Sequence, residues 1–251
     1  MRRFFVEEKN IRENKVTIKG DEARHIAQVL RLKEKDKIKI FTGKGKEYLT
    51  EIIQSSKKEV IGKILEESRL DTEPPIEITL VQGIPKSDKM DFIVQKVTEL
   101  GVKKIIPVIT QRTVVKLNEE KSRARRNRWQ RIALEAAKQS GRAIIPAVKE
   151  VISFIQALDN LNRESLNLIP WEEETSTSLK QVLKRHTSHI PHSTSHITVF
   201  IGPEGGFTSE EVEAAKEKGA IPVSLGPRLL RTETAGLVTL TVILYELGDM
   251  G

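Results

Sequence analysis

Cysteine is absent from the 251-residue chain. That absence excludes a disulfide scaffold, a thiolate metal site, an iron–sulfur cluster and a cysteine nucleophile, and it fits a reducing compartment. No segment approaches the ~18 consecutive apolar residues that a membrane-spanning helix needs. The opening MRRFFVEEKN reaches Glu7 and Glu8 before the apolar core of a signal peptide can form. The expectation is a soluble, intracellular, cytoplasmic chain with no membrane partner. No internal repeat is found.

What is present is a globular composition with a positive excess. Lys and Arg number 42 against 35 Asp and Glu, a net charge of +7, which points to an acidic partner. Hydrophobic residues at 38 % of this length can fill one large domain or two modest ones. Residues 1–70 read as short strands. Lys15–Lys19 and Lys37–Phe41 alternate in polarity, and Tyr48–Ile53 and Val60–Leu65 follow after turn signals such as Thr42-Gly43-Lys44-Gly45. Only Asp21–Leu32 has a helical pattern, so a small antiparallel barrel is expected, with an open face suited to a nucleic-acid strand. At Leu70–Pro75 two prolines remove backbone donors and extend the chain. The domain boundary is placed there, dividing residues 1–70 from 71–251.

Beyond the boundary, strand and helix patterns alternate. Strands are predicted at Ile76–Val81, Ile105–Ile109, Leu166–Ile169, Thr198–Ile201 and Ile221–Leu225, with helices near Asp88–Leu100 and Glu119–Ser140. This rhythm predicts an α/β domain with a mostly parallel sheet covered by helices. The last helix, Thr234–Leu247, is apolar almost all round and should be buried against its own domain or a second subunit.

Three features bear on chemistry. The stretch Lys184–His196 carries His186, His189, His192 and His196, but Pro191 breaks any helix that would align them and no carboxylate lies among them, so no metal is assigned. The helix Glu119–Ser140 has one apolar face, Trp129, Ile132, Ala133, Ala136 and Ala137. Arg123, Arg125, Arg126, Arg128 and Arg131 crowd its first half; with Lys103, Lys104, Arg112 and Lys116 they form a candidate phosphate surface. The sharpest feature is a pair of strand-end loops, Ile201-Gly202-Pro203-Glu204-Gly205-Gly206-Phe207 and Leu225-Gly226-Pro227-Arg228-Leu229-Leu230-Arg231-Thr232-Glu233-Thr234-Ala235. Glycine lets the backbone turn sharply and approach a ligand closely at the carboxyl edge of a sheet. Neither loop matches G-x-G-x-x-G or G-x-x-x-x-G-K-[ST], so an ordinary dinucleotide or nucleoside-triphosphate site lacks its usual mark. Thr208 and Glu211 have the spacing of a helix-capping box and are read as structural.

The two loops closely resemble the signature of the RsmE family of ribosomal RNA small-subunit methyltransferases. The likeness runs the whole length, through RRFFV at the start, HIAQVLRLK at 25–33, KVTELGVKKIIPVITQR at 96–112 and RWQRIALEAAKQSGRAIIP at 128–146. The His-rich segment before Ile197 departs from the family pattern without touching a signature residue.

The resemblance implies a SPOUT-type catalytic domain with a deep trefoil knot, plus a small N-terminal PUA-like β-barrel domain for RNA. It implies S-adenosylmethionine as cofactor, bound by Leu168, Ile169 and Pro170, by Ile201, Gly202, Pro203, Gly205 and Gly206, and by Leu225, Gly226, Leu229 and Leu230. The implied reaction is methylation of a uridine at N3 in small-subunit (16S) ribosomal RNA, on the assembled 30S subunit. Methyl transfer at N3 needs the imide proton removed or its anion stabilised. Arg231 and Arg112 are candidates for anion stabilisation, and Glu204 and Glu233 for proton handling. RNA placement is expected from Arg3, His25 and Arg31 in the first domain and from Lys86, Arg112, Gln139 and Arg142 on the catalytic domain. A homodimer is implied. The alternatives are a non-catalytic RNA-binding protein, a hydrolase using Glu204 as general base, and a related methyltransferase acting on another nucleotide.

Overall fold

A computed structural model describes residues 1–70, 72–162, 164–187, 196–247 and 249–250. The chain forms two compact units, Met1–Glu73 together with Ala137–Ile145, and Pro74–Ala136 together with Pro146–Gly251.

In the first unit, six strands form one sheet: β1 (Arg3–Phe5), β2 (Ile11–Arg12), β3 (Lys15–Lys19), β4 (Lys37–Phe41), β5 (Lys46–Ser55) and β6 (Glu59–Arg69), in the order β1-β4-β5-β6-β3-β2. Alternation sets the buried face, as with Val16 and Ile18 on β3 and Ile38 and Ile40 on β4. The pairing is antiparallel except where β1 lies parallel to β4, a contact absent from the antiparallel expectation. The expected helix begins as α1 (Gly20–Arg24) and continues as a wider π-type turn over His25–Val29. Ala23 and Ile26 from it enter the unit's core. Strands β1 and β2 escaped the sequence pattern because runs of two or three residues carry no measurable alternation.

In the second unit, the strands are β7 (Glu77–Gly83), β8 (Lys104–Ile109), β9 (Ala147–Val148), β10 (Ile152–Ser153), β11 (Leu166–Pro170), β12 (His196–Ile201) and β13 (Ala220–Val223). Their order is β10-β8-β7-β12-β11-β13, with β9 beside β8, and every pairing is parallel. The near-continuous apolar runs of β7, β11 and β12 follow from burial on both faces. One face is covered by side chains of α2 (Lys89–Glu99), α3 (Glu119–Ser140), α5 (Leu179–Thr187) and α7 (Thr232–Glu246), among them Ile93, Trp129, Leu183 and Leu240. The other carries α4 (Phe154–Asp159) and α6 (Ser209–Glu217) over Val81, Val108, Ile169 and Phe200. On α3, Trp129, Ala133, Ala136 and Ala137 are buried as the spacing predicts. Thr208 and Glu211 make the reciprocal capping box at the start of α6. The parallel order brings the carboxyl ends of β7, β12, β11 and β13 side by side, which positions the site.

Candidate active site

At those four strand ends, loops 171–178, 202–208 and 224–231 enclose a cleft with two lobes of about 310 and 480 Å³. The lobes share Pro170, Trp171, Glu172, Leu230 and Ala235. Volumes in this range suit a small organic ligand. The wall between β12 and α6 has no room for side chains: a Cβ on Gly202 would lie 2.9 Å from the carbonyl carbon of Gly206 and 3.2 Å from the Phe207 nitrogen. Gly206 (φ +68°) and Gly226 (φ +107°) sit in the left-handed region, where an L side chain is strained. Gly83, at the end of β7, meets this wall from the far side; a Cβ there would lie 2.6 Å from Cδ of Pro203. Beneath it, the fully buried Gln82 donates from Nε2 to Gly83 O (2.9 Å) and to Thr232 Oγ1 (3.0 Å), and Thr232 donates to Gly202 O (2.6 Å). Three chain segments are thereby tied together under the cleft floor.

The expected cofactor residues separate into two groups. Pro170, Ile201, Gly202, Pro203, Gly206, Leu225, Gly226, Leu229 and Leu230 line one lobe or the other, with Leu229 81 % exposed at the rim. Leu168 and Ile169 are fully buried with their side chains in the two opposite cores, and neither lines the cleft. Gly205 also stands off the lining, and its carbonyl accepts from Arg112 Nη1 at 2.6 Å.

The cleft's charges are organised around Lys89, in the first turn of α2. Its ammonium lies 3.1 Å from Glu204 and 3.3 Å from Glu233. The backbone N–H of Lys86 donates to both oxygens of the same Glu204 carboxylate (3.1 and 3.2 Å). Burial opposes ionisation of Glu204, but its own backbone N–H, the Lys89 ammonium and the Lys86 N–H together outweigh burial and hold the carboxyl below its ordinary range. Lys89 is pushed above its ordinary value, chiefly by the hydrogen bond to Glu204. Arg231 lines the same lobe with an exposed side chain. Sequence patterns missed Gln82, Gly83, Lys89, Trp171, Glu172 and Thr232. The available signal was their position, at the end of a strand, just after one or at the mouth of a helix, rather than any motif.

Comparison with known proteins settles the family. A model of an RNA methyltransferase domain matches residues 72–244, and one of an RNA methyltransferase PUA domain matches residues 18–65. The chain is 38 % identical over 249 residues to ribosomal RNA small subunit methyltransferase E of Bacillus subtilis (strain 168), covering 98 % of this chain and 97 % of that protein. It belongs to the ribosomal RNA small subunit methyltransferase E family. Among solved structures, the Neisseria gonorrhoeae family member bound to S-adenosyl methionine matches with a TM-score of 0.85 at 36 % identity, over 98 % of this chain and 97 % of that one. A putative methyltransferase from Legionella pneumophila, in complex with the same cofactor, matches with a TM-score of 0.84 at 31 % identity, over 97 % and 96 %. The six-stranded unit is accordingly PUA-like, and the parallel-sheet unit is the methyltransferase domain.

Within this family member, the expected RNA residues do not form one set. His25, which opens the π-type turn, and Arg31, just after it, are exposed, and Lys86 and Arg112 are exposed near the cleft. Arg3 is withdrawn into the PUA-like unit: its guanidinium donates to Glu47 (2.8 Å) and to the carbonyl of Arg142 (2.7 Å), and it lies 3.9 Å above the Phe41 ring. Arg142 is 3 % exposed and paired with Glu73. Both are committed to long-range internal contacts that no local pattern reveals. Gln139 is exposed, but it and Arg142 fall in Ala137–Ile145, within the first unit rather than the catalytic one. Among the described residues no group of three or more His, Asp or Glu side chains is placed to hold a metal, and no helix is long and apolar enough to cross a membrane. His189 and His192 lie outside the described residues.

Proposed function

We propose that this chain transfers a methyl group from S-adenosylmethionine to N3 of a uridine in 16S ribosomal RNA, acting in the cytoplasm on the assembled 30S subunit. The observation that carries this reading is the glycine-walled cleft at the carboxyl edge of a parallel sheet, in a chain matched almost end to end by a family member and a putative methyltransferase, each solved with that cofactor. The residues present fit the group. Leu225, Leu230 and Ala235 offer apolar surface to an adenine ring, and the Cβ-free positions 202, 206 and 226 bring backbone polar groups to its edges. Glu172 offers the cleft a carboxylate for a cationic ligand, the charge of Glu204 being answered by Lys89.

When bound, the cofactor supplies an electrophilic methyl on a sulfonium. The chain's own part is mostly placement. Attack by a ring nitrogen needs near-linear geometry, and fixed orientation can supply up to about 7–11 kcal/mol in model reactions. Arg231 at the cleft mouth presents donors for a uracil carbonyl oxygen and lowers the cost of the imide anion. Arg112 anchors the Gly205 carbonyl and has further guanidinium N–H groups for the same anion or a neighbouring phosphate. Glu204, with its carboxyl held below the ordinary range, is a weak proton acceptor, so in this reading the N3 proton leaves to water at the open mouth. Exposed His25, Arg31 and Gln139 on the first unit and exposed Lys86 on the second are each assigned to RNA contact, with Arg3 and Arg142 supporting the first unit from inside.

The trefoil knot and a homodimer belong to the same reading. On α7 the outward side carries Thr241 and Tyr245, the latter 67 % exposed, flanked by half-buried Leu237, Val238 and Val242; this face is assigned to a second copy. Light scattering at micromolar concentration should give twice the monomer mass. For the reaction, labelled methyl from S-adenosylmethionine should reach small ribosomal subunits faster than protein-free ribosomal RNA. Equal labelling of both would overturn the 30S assignment, and no labelling of either would overturn the activity.

A further inference from the structure

The turn from Ile84 to Lys89, between β7 and α2, belongs to neither glycine-rich loop and carries no motif. Three observations make it part of the cleft. Ser87 has φ +57°, a left-handed conformation that costs a non-glycine residue energy and persists only where the surroundings enforce it. Lys89 occupies the first turn of α2, where the helix dipole disfavours a cation, yet it is held between two carboxylates. Those carboxylates come from different segments: Glu204 from the loop after β12, and Glu233 from the first turn of α7. Glu233 Oε2 is buried and has no hydrogen-bond partner among the described residues, so the 3.3 Å ion pair with Lys89 compensates its charge. Local rules broken together at one place, with each violation answered by another, mark a built feature.

We infer that the 84–89 turn is a latch, in which the Lys86 N–H and the Lys89 ammonium together fix the cofactor-side loop 202–207 to the N-terminus of α7. Lys89 is a positioning residue for methyl transfer: its ammonium is engaged by Glu204 and Glu233, and it keeps both in place as counter-ions. Without its ammonium, two carboxylates would face each other across a partly buried gap, and repulsion would drive the loop and the helix apart. This inference rests on the methyl-transfer reading for its kinetic consequence and on geometry alone for its structural one, so the two can be tested apart.

The experiment compares Lys89→Met and Lys89→Arg with the unaltered protein. In Lys89→Met, calorimetric affinity for S-adenosylhomocysteine should fall at least tenfold. Amide hydrogen exchange at Lys86, at Gly206 and in the first turn of α7 should accelerate at least tenfold. Lys89→Arg should keep both within about threefold, because a guanidinium can still bridge the two carboxylates. In kinetics, the loss in Lys89→Met should fall mainly on KM for the methyl donor, whereas a role at the N3 proton would fall on kcat. Should Lys89→Met fail to fold, the double variant Glu204→Gln with Glu233→Gln breaks both ion pairs to Lys89 without leaving two carboxylates facing each other, and should still show faster exchange at these amides, by a smaller factor. Unchanged exchange at these amides in either variant overturns the latch. Absence of any heat with S-adenosylhomocysteine in the unaltered protein would overturn the methyl-transfer reading and leave the exchange result to decide the latch.

Discussion

Replacing Gly83 by alanine tests the cleft wall from outside the glycine-rich loops. The added methyl would sit 2.6 Å from Cδ and 2.7 Å from the nitrogen of Pro203, and 3.1 Å from the carbonyl carbon of Gly202. None of these atoms is the end of a flexible side chain, so the 202–203 backbone must retreat, by about 1 Å, to restore ordinary contact. The Gln82–Thr232–Gly202 hydrogen bonds lie directly beneath and cannot follow without lengthening. Overpacking of this kind costs about 1–3 kcal/mol. If the strain is relieved by displacing the loop, the same energy appears as a loss of about 5- to 150-fold in affinity for S-adenosylhomocysteine. Calorimetric titration of Gly83→Ala, alongside its thermal unfolding, separates the two ways the cost can appear. Gly226→Ala is the comparison, since its added methyl meets nothing within 4 Å and only the φ of +107° opposes it. A Gly83→Ala protein with wild-type affinity and wild-type stability would refute the close approach of β7 to the loop.

Arg3→Met should destabilise the PUA-like unit by about 3 kcal/mol, because the nearly buried Glu47 loses one of two cationic partners and keeps only Lys39 at 2.8 Å. Urea denaturation reads this, and a loss below about 0.5 kcal/mol would return Arg3 to the surface. Since the folded Glu204 carboxyl lies below its ordinary value, its ionised form stabilises the fold at pH above about 4.5, and that contribution is lost as pH falls through the lowered folded value. The stability gap between the unaltered protein and Glu204→Gln should therefore be open at neutral pH and close on acidification; a gap that widens towards acid contradicts the shift. Arg231→Ala should lower kcat by about 10²–10³-fold with little change in donor affinity, as expected of a group that meets charge only in the transition state. Equal kcat in single-turnover assays would remove it from the reaction.

The parts of the site that were legible in the sequence are those where a single segment carries the whole signal. Gly202, Gly206 and Gly226 declare a sharp, side-chain-free backbone wherever the chain goes, and the apolar α7 following them declares burial. Thr208 and Glu211 cap α6 by local geometry alone. What escaped depends on strand order. Gln82 and Gly83 come to support the cleft wall, and Lys89 to line it, only because β12 inserts beside β7, more than a hundred residues away along the chain, and no period within either segment records that pairing. Arg3 and Arg142 show the opposite failure: as isolated cations they match a surface that meets phosphates, and only the placement of Glu47 and Glu73 turns them inward. The assignment of Ala137–Ile145 to the first unit was illegible for the same reason, since α3 runs through its end without a break in helical pattern.

The most direct test is the identity of the product. Small ribosomal subunits lacking the modification should be incubated with the protein and S-adenosylmethionine, and their ribosomal RNA digested to nucleosides for mass spectrometry. The account predicts 3-methyluridine, absent when donor or protein is omitted. A digest with no new methylated nucleoside, from protein shown to be folded and to bind the donor, would contradict it.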